Sequence, residues 1–144
     1  MSRIVGASSS AGERRRLLKE VASVLAHTAS AQPSAMEQAD LLAYLALLLD
    51  RISATVERSA SAWEKRGYWV KADRLRQEWA WVGEAHREAE ETLRKGTSVR
   101  EALVALTELR AKTDPFAGSS RRRTPSPWAG AAKAWSQSRR APSI

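Results

Sequence analysis

The chain has 144 residues, with 24 Lys and Arg against 16 Asp and Glu, and no cysteine. That length suits one domain; the missing thiols exclude disulfides and thiolate metal sites, and no run reaches the ~20 apolar residues that span a bilayer. The net charge of +8 sits at the ends: residues 1–31 carry +3, residues 32–114 carry −1 and residues 115–144 carry +6, so the middle is not itself a basic surface.

Residues 1–12 are rich in Ser, Gly and Ala and read as a disordered N-terminal segment. A helical body is expected over residues 13–113. Its first sign is a Ser-x-x-Glu box standing before an apolar helical pattern at three places: Ser10–Glu13, Ser34–Glu37 and Ser98–Glu101. In such a box the Ser hydroxyl accepts from a free amide of the first turn, and the Glu reaches back to the Ser amide.

The first helix is expected from about Glu13 to Ala31, with Leu17, Leu18, Val21, Val24, Leu25 and Thr28 on one face. Lys19 and Glu20 interrupt it where a signal peptide would be apolar throughout, so a cytoplasmic setting is expected. Pro33 ends it. A second helix follows Ser34, using Leu42, Leu45, Leu49, Ile52, Val56 and Trp63. Over Leu41–Leu49 it is apolar nearly all round, as a central helix or an oligomer interface would be. The third pattern, Ala72, Leu75, Trp79, Val82, His86, Ala89 and Leu93, closes at Lys95-Gly96. Its register is offset by two residues from that of the second helix, so the chain either turns near Gly67 or continues as one helix that changes its buried face. A fourth helix, with Val99, Ala102, Leu103, Leu106 and Leu109, stops at Asp114-Pro115. Residues 114–144, rich in Arg, Ser and Pro, read as a disordered tail. The expected fold is therefore all-α: a small antiparallel bundle or long helical hairpin of three to four helices with disordered basic ends.

Catalytic chemistry finds little footing. The Glu-x-x-His motif of helical di-metal sites is missing, since Val24 and Gly83 stand three residues before His27 and His86. Two histidines without cysteine do not suggest zinc, and phosphate-binding glycine motifs are absent. Glu88, Glu90 and Glu91 beside Arg87 and Arg94 read as a solvated helical face. Neither enzyme activity nor a cofactor or metal is expected.

Two features remain as candidate interaction sites. The stretch Trp63–Val82 holds four of the six tryptophans. On one continuous helix, Tyr68, Leu75, Trp79, Val82 and His86 share the core face, Trp63, Val70 and Trp81 lie opposite, and Trp69 sits between. Trp63, Trp69, Val70 and Trp81 are thus the candidate partner-binding residues, because exposed tryptophans are favoured interface anchors. In the tail, Arg121, Arg122, Arg123, Lys133, Arg139 and Arg140 accompany Trp128 and Trp135, a composition suited to an anionic partner. The expectation is a non-enzymatic adaptor or assembly factor that docks a protein partner through the tryptophan segment, is tethered by its basic tail and is able to self-associate. The alternative is a small nucleic-acid-binding protein using the tail with Lys71, Arg74 and Arg76.

Overall fold

The computed structural model describes residues 6–116 and 126–139, and the side chains from Ser10 onward. Every regular element among them is helical: α1 (Gly6–Ser30), α2 (Ala35–Lys65), α3 (Trp69–Glu78), α4 (Ala80–Lys95), α5 (Val99–Thr107), α6 (Arg110–Thr113), a 3₁₀ turn (Asp114–Phe116) and α7 (Ala131–Arg139). The all-α expectation holds. Seven α-helices replace the three or four expected, because breaks at Trp79 and Leu109 divide the later segments and α7 forms where a tail was expected.

α2 is the central element and packs against α1, α3, α4, α5 and α7. Neighbours on several sides explain why Leu41–Leu49 is apolar nearly all round. Leu41, Leu42, Ala43, Leu45, Ala46, Leu48 and Leu49 are all buried, while Tyr44 is half-buried at the margin and Leu47 is exposed. Polar pairs fix the direction of two of these neighbours, α1 and α3. Arg58 binds Ser10 (3.3 Å) and Glu13 (2.7 Å), Arg14 binds Thr55 (3.2 Å), and Tyr44 donates to Glu20 (2.8 Å), so α1 runs antiparallel to α2. Arg76 bridges Glu57 (2.8 Å) and Glu64 (2.6 Å), laying α3 back along α2.

Of the three Ser-x-x-Glu boxes, only Ser34 caps a helix, accepting from the Glu37 amide at 3.2 Å. Ser10 lies inside α1, which starts at Gly6, and both Ser10 and Glu13 are drawn to Arg58. Ser98 takes a left-handed φ of 62° and makes no side-chain cap. The motif located two of the three helix starts, but the capping chemistry operates at one.

Gly67 resolves the register question in favour of a turn. Its φ is 88°, Tyr68 N–H bonds the Trp63 carbonyl (2.9 Å) and Gly67 N–H bonds that of Glu64 (2.9 Å). This is a Schellman ending, in which a glycine takes the left-handed position. The α3–α4 joint at Trp79 (φ −107°, ψ 13°) bends the chain again. Trp79 is half-buried there and touches both the main core and a smaller cluster of Val56, Ala60, Ala72 and Leu75.

Residues 126–139 differ most from the sequence reading. Trp128 is 1% exposed and belongs to the main core, and α7 packs along α2. The physical reason is that one indole buries 150–250 Å², an amount that mean composition averages away.

Candidate docking surface at the hairpin tip

Because α2 ends in a glycine turn, the three residues that follow are carried to the outside of the hairpin. Tyr68, Trp69 and Val70 are 55%, 63% and 69% exposed. Among the described residues the other exposed large apolar side chains, Met36, Leu47 and Val104, are far apart in sequence. Lys65, Arg66, Lys71 and Arg74 are exposed around this triad. Among the described residues, Lys65, Arg66 and Arg74 make no ion pair, while the Lys71 ammonium lies 4.8 Å from the Trp63 ring centroid.

The local acids are engaged elsewhere. Arg76 holds Glu57 and Glu64, and its hydrogen bond is the main reason that the Glu64 carboxyl lies below its ordinary range. The same bonds, first that from Glu57, push the Arg76 guanidinium further up. Arg76 offsets one of these two carboxylate charges, and Asp73, which accepts from Gln77 at 3.1 Å, adds another acid, but Lys65, Arg66, Lys71 and Arg74 still outnumber them and leave the tip net positive.

The candidate partner-binding residues therefore separate. Trp69 and Val70 stand at the tip. Trp63 is half-buried against the smaller cluster. Trp81 is half-buried against the main core, 6.1 Å from Trp79 between ring centroids and beneath Lys112. The expectation of opposite faces for Trp79 and Trp81 is corrected: it assumed one unbroken helix, and the bend at Trp79 brings both rings to one side. Tyr68, placed on the core side by the same assumption, is instead exposed at the tip. The face assignment followed the continuous-helix alternative; the turn at Gly67, the other alternative, removes Tyr68 from the helical register of α3.

The tail residues also separate. Trp128 stacks on His27 (4.5 Å between centroids) and donates from Nε1 to Glu37 at 3.0 Å; the same carboxylate accepts from or pairs with His27 at 3.3 Å. Asp40 accepts from the amides of Gly130 (3.1 Å) and Ala132 (3.0 Å), capping α7 from a neighbouring helix. At the other end, Glu90 receives Trp135 Nε1 (3.2 Å) and the Arg139 guanidinium, with His86 at 3.4 Å. Partial burial raises the Glu90 pKa, but these donors outweigh it and hold the carboxyl below its ordinary value. Trp128, Trp135 and Arg139 thus bind this chain's own carboxylates. Lys133 is exposed, and Arg121, Arg122, Arg123 and Arg140 lie outside the described residues.

An open cavity of about 420 Å³ lies between α2, α4 and α7, bordered by Tyr44, Leu47, His86, Glu90 and Trp135. Among the described residues no three His, Asp or Glu side chains group to hold a metal ion, and no helix is long and apolar enough to cross a membrane. No protein-family model, no curated protein and no solved structure matches this chain.

Proposed function

We propose that the protein is a non-enzymatic helical adaptor that docks a protein partner through the hairpin tip. The observation that carries this reading is the exposed run Tyr68-Trp69-Val70 ringed by Lys65, Arg66, Lys71 and Arg74. Two aromatic residues and a valine in water cost solvation that burial in an interface returns, and tryptophan and tyrosine are the usual anchors of such surfaces. The tip is held by the Schellman turn and by Arg76 across α2 and α3, so docking loses little chain entropy. The ring of cations selects a partner face bearing carboxylates.

A nucleic-acid reading draws on the same cations beside a stacking ring. It loses weight in the tail, where Trp128, Trp135 and Arg139 are already bound to Glu37 and Glu90. The two readings separate with point variants rather than a truncation, which would remove Trp128 from the core. Capture from a lysate of the source cells is compared for the wild type and a Tyr68→Ser/Trp69→Ala variant, alongside retention on DNA and RNA at low and moderate salt. The expected result is loss of specific protein partners from the variant, with its melting curve unchanged. Identical capture by both proteins, or tip-dependent retention on nucleic acid alone, sinks the adaptor reading.

A further inference from the structure

The tip has a counterpart on the same molecule. α4 and α5 diverge from the turn at Gly96–Ser98 and leave a groove of about 320 Å³ between them. Its floor is Ala85, Ala89, Ala102 and Leu106; three small side chains out of four leave room above them for one aromatic ring. The rim is acidic, with Glu88, Glu91 and Glu101 all exposed and no lysine or arginine lining the groove. Glu91 pairs with Arg94 (2.7 Å) and Lys95 (3.5 Å), whereas Glu88 and Glu101 make no ion pair among the described residues.

The groove and the tip cannot meet within one chain. His86 and Glu90 of α4 lie beside Tyr44 and Leu47 of α2, and eighteen positions of unbroken α2 separate Leu47 from Lys65 at the tip, roughly 27 Å at 1.5 Å per residue.

Resting on the reading of the tip as a docking surface, we propose that its partner is a second copy of this chain, the Tyr68-Trp69-Val70 tip of one copy seating in the α4–α5 groove of the next. An apolar triad meets an apolar floor, and Lys71 and Arg74 meet Glu88 and Glu101. The two patches differ, so the contact is heterologous: each copy offers one tip and one groove, and association proceeds head to tail beyond a dimer.

The test is sedimentation velocity on the full chain across protein concentration at low and high salt. The wild type is expected to form species larger than a dimer at low salt and to dissociate as salt screens the rim charges. Trp69→Ala and Glu88→Lys/Glu101→Lys should each weaken self-association by about tenfold or more. Mixing those two variants should give a one-to-one complex and nothing larger, because only one intact tip and one intact groove remain. The reversal Lys71→Glu/Arg74→Glu should fail alone and recover when combined in one chain with Glu88→Lys/Glu101→Lys. Circular dichroism confirms that each variant is folded.

A wild type that stays monomeric at every concentration overturns the proposal, as does self-association that survives the groove reversal. A monomer that co-floats with anionic phosphatidylserine vesicles overturns it too. The first two outcomes leave the adaptor reading intact, because a different protein could still occupy the tip; that reading falls by its own capture experiment.

Discussion

At position 128 an indole is sealed between His27 and Glu37, and at position 69 an indole stands in solvent. Truncation separates the two roles. Trp128→Ala empties a core site and removes one of the two side-chain partners of the Glu37 carboxylate, and is expected to cost about 3–5 kcal/mol, read from the urea midpoint at constant slope. Trp69→Ala should change stability by no more than about 0.5 kcal/mol. Between these lie Trp79 and Trp81, both half-buried and 6.1 Å apart; each alanine variant should cost about 1–3 kcal/mol, and a neutral Trp81→Ala would contradict its place against the core. None of this order could be read from residue type. Trp69 was recognisable as a docking candidate, while Tyr68 and Trp81 were misassigned because an angular argument holds only while the helix is unbroken. Trp128 was placed in a tail because its neighbours are Ser, Pro, Ala and Gly, and its partners, Glu37 and His27, lie about ninety positions or more earlier.

For the elements, the legible part was the apolar periodicity that marks α1, α2, α4 and α5. The joints were harder, since a single glycine costs a helix only ~1 kcal/mol and does not dictate a break. Gly67 and Gly83 show the two fates of that residue. Gly67 sits at φ 88° with open space around a notional Cβ, so Gly67→Ala meets no clash and costs only the left-handed strain, about 1–2 kcal/mol. Gly83 lies within α4, also with open space, and Gly83→Ala should raise stability by about 0.5–1 kcal/mol through the unfolded chain. Opposite shifts in thermal midpoint check both. Equal shifts would mean that Gly67 does not carry the turn.

Across the whole molecule, acidic side chains of the body hold the basic C-terminal helix in place, which gives the fold a pH dependence of definite sign. Glu90 and Glu64 have folded pKa values below the unfolded value of about 4.3. Near and below that value the unfolded chain therefore binds more protons than the folded one. Their contribution is complete above the unfolded pKa and is lost as pH falls through the folded one. Stability measured by urea unfolding should decline from about pH 5 downward, and Glu90→Gln should flatten that decline while lowering stability at neutral pH. An unchanged slope in the variant would remove Glu90 from the account. The same arrangement also orders events in time. α1 and α2 can pair while synthesis continues, because their contacts are close in sequence. The seat of Trp128 on α2 stays open until a segment some ninety residues later has emerged, so a nascent chain carries an uncovered strip of α2 throughout most of its translation, and the docking of α7 is the step that ends its exposure to aggregation.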